Sequence, residues 1–170
     1  MFQTFQLISM HIYDHFQALL VDDVMLDINK IATDLWIFST EEFGYIKLPD
    51  EISTGSSIMP HKKNPDVLEL LRAKSAVVDS YLFQIMGIIK SLPSGYNRDL
   101  QLTKEPLMNG IETTGECIKI MSLVVSKITV DKDRCKKAMT QELYATEEAY
   151  KLVKKGIPFR DAYKEIGKKF

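Results

Sequence analysis

Residues 5–38 read FQLISMHIYDHFQALLVDDVMLDINKIATDLWIF, and no Gly or Pro interrupts them. Apolar side chains recur at Phe5, Ile8, Ile12, Phe16 and Leu19, then at Val24, Ile28, Ile31, Leu35 and Phe38. Steps of three, four and five residues line these side chains along a helix, so the stretch predicts one long α-helix. Gly44 suits a left-handed C-terminal cap, and KLPD at 47–50 prevents the helix from continuing.

Beyond it, a second helix is predicted to start at Pro65, with Asn64 as its N-cap and Pro in the first helical position. Its apolar stripe is Val78, Leu82, Ile85 and Ile89, and SLPSG at 91–95 closes it. A third runs through Leu107, Ile111, Thr114, Ile118, Met121, Val125 and Ile128. Those alternating steps of four and three have the period of a bundle seam, which Gly110 and Gly115 weaken in the middle. After Val130 the chain turns to short charged segments, DKDRCKKAM, ATEEAYKLVKKG and PFRDAYKEIGKK. Asp131 and Thr146 are suited to be N-caps there, and Gly156 and Gly167 to be stops. The fold class is all-α: residues 1–130 as a bundle domain of long helices, and residues 131–170 as the start of a small helical domain. No internal repeat or strand-like alternation of useful length intervenes.

Three such helices cannot cover one another completely. Leu7, Leu20, Leu26 and Ile88 lie off the main stripes and are left in water unless further helices pack on them. Oligomerisation or a missing part of the chain is therefore expected. The chain also enters its first helix without a capping residue or a preceding loop.

Composition narrows the classes. The 170 residues are 45% apolar and carry a net charge of −1, which argues against a dedicated nucleic-acid binder. Cys117 and Cys135 are too few and too far apart for a zinc site or a disulfide framework, so a reducing cytosol is expected. MFQTFQLISM lacks the basic start of a secretory signal, and no run approaches the ~18 apolar residues of a membrane span. The reading is a soluble cytoplasmic protein with no membrane or nucleic-acid partner.

Between the first two helices lies STGSSIMPHKKNPD, residues 53–66. Gly55, Ser56 and Ser57 allow movement, Pro60 and Pro65 restrict the exit, and His61, Lys62 and Lys63 place positive charge ahead of a helix N-terminus. Free amides and the helix dipole favour an anion at that place. The segment lacks the second Gly ahead of a Lys-Ser/Thr pair that a phosphate-binding P-loop requires. A serine acts as a base only when its hydroxyl pKa is depressed, and a neighbouring ammonium and helix amides stabilise the alkoxide as they stabilise an anionic intermediate. From composition alone, a solvated Ser/Lys-rich turn is the competing reading.

The order of residues decides between them. GSSIMPHKKNP, from Gly55 to Pro65, resembles the G-S-S-x-M-P-x-K-x-N-P motif of the fumarase/aspartase superfamily, and Lys63 after the first Lys resembles its argininosuccinate lyase branch. The resemblance extends through TEEFGYIKLPDE, NPDVLELLRAKS, LPSGYNRDLQLTKEPL and ATEEAYKLVKKGIPFRDAYKEIG, from about Ala32 to Gly167. It implies a helical bundle of the fumarase/aspartase type that assembles as a homotetramer. The implied reaction is β-elimination of argininosuccinate to arginine and fumarate, the last step of arginine biosynthesis, with neither cofactor nor metal. By position, Ser56 matches the serine that removes the Cβ proton. Lys62 and Asn64 match the residues that hold the substrate carboxylate as it gains charge, and Tyr96, Gln101 and Lys104 match substrate-binding positions. Gln101 and Lys104 stand three apart, so one helix face presents both to one ligand.

Departures accompany the match. The family builds each active site from three subunits, and two of its three active-site segments, including one that carries a proton-transferring histidine, have no counterpart in these residues. Isolated chain is therefore expected to lack lyase activity. Ser9-Met10-His11-Ile12 stands where a Ser-x-Arg-Asp pattern is expected, and Glu147 where Asp is common. His11 and His15, four apart with Asp14 between them, share a helix face as zinc ligands do, but a third ligand is not evident and satisfied or solvated histidines are the competing reading. His61 falls at a variable family position. A non-catalytic helical oligomer derived from the same family, in the manner of lens crystallins, is the alternative function.

Overall fold

A computed structural model of the chain describes residues 2–55, 63–93, 95 and 97–169, with side chains from Tyr13 onward. The uninterrupted apolar periodicity produces helix α1, Phe2–Ser39, whose 38 residues extend about 57 Å at 1.5 Å per residue. The helix ends at Ser39, before the expected cap, and Gly44 closes the turn that follows it. Gly44 takes φ +58°, a left-handed conformation, and its N–H donates to Thr40 O at 2.7 Å. Phe38, Phe43 and Tyr45 close around this reversal, with ring centroids 5.6 Å apart for Phe38–Tyr45 and 5.5 Å for Phe43–Tyr45.

Helices α2 (Asp66–Ile89) and α3 (Lys104–Lys127) have 24 residues each. Successive helices run in opposite directions: Trp36 near the end of α1 donates to Glu69 near the start of α2, while Ala18 meets Ile85 and Leu107 at the other end. The main core joins Met25, Ile28 and Ala32 of α1, Leu68, Leu71 and Val78 of α2, and Cys117, Met121 and Val124 of α3. Burial of this apolar set, together with Ile85, is the main force holding the three helices together.

Two expectations change here. Asn64 does not cap α2. Its backbone is committed to a strand pair, Pro65 holds the N-cap position without a side-chain hydrogen bond, and the acidic residues Asp66 and Glu69 complement the helix dipole instead. In α3 the seam is Leu107, Gly110, Thr114, Cys117, Met121 and Val124, whereas Ile111, Ile118 and Val125 are exposed. At Gly110 the seam comes within ordinary contact distance of α1 and α2. A Cβ built on Gly110 would stand 3.6 Å from Val21 Cγ1 and 3.8 Å from Tyr81 Cδ2.

Apolar surface remains uncovered on all three helices. Leu20 and Leu26 are exposed, as are Phe16, Leu70 and Phe83, while Ile88 is half-buried and the Leu7 side chain lies outside the described ones.

Four two-residue strands complete the bundle unit among the described residues: β1 (Ile46–Lys47), β2 (Thr54–Gly55), β3 (Lys63–Asn64) and β4 (Thr129–Val130). β1 pairs antiparallel with β4, Ile46 opposite Val130, and so ties the exit of α1 to the exit of α3.

The chain separates into two compact units, Met1–Val130 and Asp131–Phe170. In the second, α4 (Lys132–Ala138) is capped by Asp131, whose carboxylate accepts from Arg134 N at 3.0 Å. Thr146 is not a cap. Helix α5 (Ala145–Lys154) continues directly from a 3-10 turn at Gln141–Tyr144, which leaves Thr146 inside its first turn. Gly156, at φ +94°, reverses the chain into α6 (Phe159–Gly167), and Ala149, Ala162 and Ile166 form the buried contact between α5 and α6.

Candidate functional site

The Ser/Lys-rich segment leaves and re-enters the described structure through one strand pair. In β2 and β3, Thr54 lies opposite Asn64 and Gly55 opposite Lys63. Both ends of the segment are therefore fastened together directly ahead of α2. Ser56, His61 and Lys62 lie outside the described residues. Side chains reinforce the fastening: Thr54 donates its hydroxyl hydrogen to the Asp66 carboxylate, and Lys63 pairs with Asp50 in a 3-10 turn at Asp50–Ile52. The next residue, Glu51, pairs with Lys127 at the end of α3, whose ammonium holds the Glu51 carboxyl below its ordinary range.

Asn64, half-buried, borders an open cavity of about 760 Å³ together with Lys63, Trp36, Glu41, Glu42 and Glu69. Trp36 donates to Glu69 at 3.0 Å, and the Arg72 guanidinium lies 5.0 Å from the Trp36 ring centroid. Sequence reasoning missed this wall. Its signal was the i,i+3 pair Glu69 and Arg72, which becomes informative only once α1 is known to deliver Trp36 beside it.

Gln101 and Lys104 belong to a different place. A 3-10 turn at Arg98–Thr103 precedes α3, so Gln101 is not on an α-helix as expected, and Lys104 is the first α-helical residue. Residues three apart in a 3-10 turn still eclipse one another, which keeps the two on one side. Leu100 and Thr103 turn inward and are buried, while Gln101 and Lys104 are exposed. Thr103 Oγ1 lies 2.9 Å from Asp14 Oδ2 on α1 and 2.9 Å from Leu100 O. Before the turn, Asn97 Nδ2 donates to Pro93 O at 2.9 Å. Tyr96 lies outside the described residues.

Asn64 stands at the start of α2, whereas Gln101 and Lys104 follow its end. Twenty-four helical residues separate the two places, about 36 Å of helix axis, and antiparallel α3 spans the same length back. One copy of the chain therefore does not bring Asn64 together with Gln101 and Lys104.

Of the HIYDH segment, the structure describes the side chains of Tyr13, Asp14 and His15. Asp14 accepts a hydrogen bond from Thr103, His15 Nδ1 is buried without a partner, and the His11 side chain lies outside the described ones. Among the described residues no group of three His, Cys, Asp or Glu side chains is placed to hold a metal.

A lyase family profile matches residues 13–79. The chain is 43% identical over 150 residues to an argininosuccinate lyase of Thermotoga neapolitana, a match covering 88% of this chain and 38% of the relative. An argininosuccinate lyase of Candida albicans is 48% identical over 139 residues, covering 82% of this chain and 30% of the relative. Among solved structures, EDDS lyase in complex with formate matches with a TM-score of 0.70 and 25% identity, over 88% of this chain and 30% of that one. The chain thus spans 30% to 38% of the length of these relatives.

Proposed function

Because the chain belongs to the lyase family of the fumarase/aspartase type, we propose that it forms part of an argininosuccinate lyase, a carbon–nitrogen lyase that releases arginine and fumarate. The observation that carries this reading is the 43% identity to a curated argininosuccinate lyase across 88% of the chain.

In the proposed reaction, Ser56 takes a Cβ proton from the succinyl group. The electron pair enters the adjacent carboxylate, giving an aci-carboxylate that Lys62 and Asn64 stabilise. Its collapse forms the carbon–carbon double bond of fumarate and breaks the carbon–nitrogen bond, and the leaving nitrogen takes a proton to give arginine. A proton beside a carboxylate is weakly acidic, so donors aimed at the developing charge dominate the barrier. Gln101, Lys104 and Tyr96 bind substrate.

The separation of Asn64 from Gln101 and Lys104 by the length of α2 supports a site completed between copies, and the uncovered apolar faces of α1, α2 and α3 support a homotetramer. Cys117 and Cys135 are not joined in a disulfide, which is compatible with a reducing cytosol, and among the described residues no helix is long and apolar enough to cross a membrane.

The test is co-expression of the chain with the upstream segments of the Thermotoga neapolitana relative, followed by an ultraviolet assay for fumarate. Release of fumarate from argininosuccinate by the combination is the expected result. A folded, assembled combination that leaves argininosuccinate intact overturns the proposal.

A further inference from the structure

Thr103 is 1% exposed, so its hydroxyl has no recourse to solvent. It sits 2.9 Å from Asp14 Oδ2 and 2.9 Å from Leu100 O, between α1 and the 3-10 turn. A hydroxyl has one proton to donate, and the carboxylate is the stronger acceptor. Leu100 and Thr103 are the inward residues of the turn, and Gln101 and Lys104 are its outward neighbours. Anchoring Thr103 therefore fixes the rotation of the turn about its own axis, and with it the direction in which Gln101 and Lys104 face. Asn97, bonded to Pro93 O and Gly95 O, fastens only the entry to the turn.

We propose that Asp14 is a positioning residue: its carboxylate, through Thr103, aims Gln101 and Lys104 at the substrate. This rests on the reading of Gln101 and Lys104 as substrate-binding residues. The effect falls on binding geometry, so it belongs mainly to KM.

The experiment has two arms. Amide hydrogen exchange on the 170-residue chain compares Asp14→Ala, Asp14→Asn, Thr103→Val and Thr103→Ser with the parent. Steady-state kinetics follow the same variants in protein joined to the upstream residues of the Thermotoga neapolitana relative. Asp14→Ala and Thr103→Val are expected to speed exchange at residues 98–104 about tenfold and raise KM about tenfold, with kcat within about twofold. Asp14→Asn and Thr103→Ser keep an acceptor and a hydroxyl, and are expected to restore both readouts. Unchanged exchange at 98–104 in a folded Asp14→Ala chain overturns the inference, and Thr103→Val decides it if Asp14→Ala fails to fold. Raised KM in Gln101→Ala and Lys104→Ala beside a normal KM in Asp14→Ala also overturns it. A normal KM in Gln101→Ala and Lys104→Ala instead shows that the binding role of those two residues has failed, whatever the exchange arm reports for the tie.

Discussion

Asp22 of α1 and Asp79 of α2 bring their carboxyl groups into one neighbourhood, and each keeps a buried Oδ1 without a partner. Burial, the neighbouring Asp79 carboxyl and the like charge of Asp23 push the Asp22 carboxyl up from 3.8 to about 6. The pair therefore favours holding a proton in the folded chain.

The sign of the pH effect follows. The folded pKa lies above the unfolded one, so the contribution is fully present below pH 3.8 and is lost as pH rises through about 6. Asp22→Asn keeps a donor for Asp79 without a charge. Above pH 6 the variant should melt a few degrees higher than the parent, corresponding to about 1 kcal/mol after solvent screening. Thermal melts between pH 4 and pH 8 check this; a parent and variant with parallel pH profiles would contradict it.

Leu68 and Leu70 lie two residues apart on α2 but in opposite surroundings. Leu68 is fully buried in the main core, while Leu70 is 64% exposed. Leu68→Ala should cost about 2–5 kcal/mol, and Leu70→Ala within about 0.5 kcal/mol, by urea denaturation of the chain.

Gly115 lies within α3, where an added Cβ meets nothing within 4 Å. Gly115→Ala should therefore stabilise the chain by up to about 1 kcal/mol by removing the entropy cost of glycine in a helix. Gly110→Ala, with ordinary contacts of 3.6 and 3.8 Å, should act in the same direction but less. Calorimetry of both variants measures the difference.

Lys62→Ala should lower kcat about 100- to 1,000-fold in the completed enzyme, as expected for a donor that faces charge in the transition state. Lys63→Ala, which breaks an exposed pair with Asp50, is the control and should stay near the parent value. Equal turnover by both variants would remove Lys62 from the proposed mechanism.

The long helices were legible because their apolar spacing is local and the punctuation at Gly44, Pro93 and Gly156 is strong. Asn64 misled because a cap and a strand partner use the same extended backbone, and Thr54 and Asp66, a dozen residues apart, decide between them. In α3 the period was legible but the face was not. Ile111 and Ile118 are better hydrophobes than Gly110 and Cys117, yet they are exposed while Gly110 and Cys117 are buried, because packing against α1 and α2 sets the face. The motif identified candidate residues one by one, whereas their distribution to opposite ends of α2 is a property of the folded helix.

That arrangement gives the molecule an unusual vulnerability. Rocking or bending a bundle does not erase a gap as long as its own helix, so no internal rearrangement of a folded copy assembles the full set of contacts. If the proposed chemistry holds, dilution of the enzyme completed by the upstream segments should silence it while every copy remains intact, and concentrating it should bring the activity back.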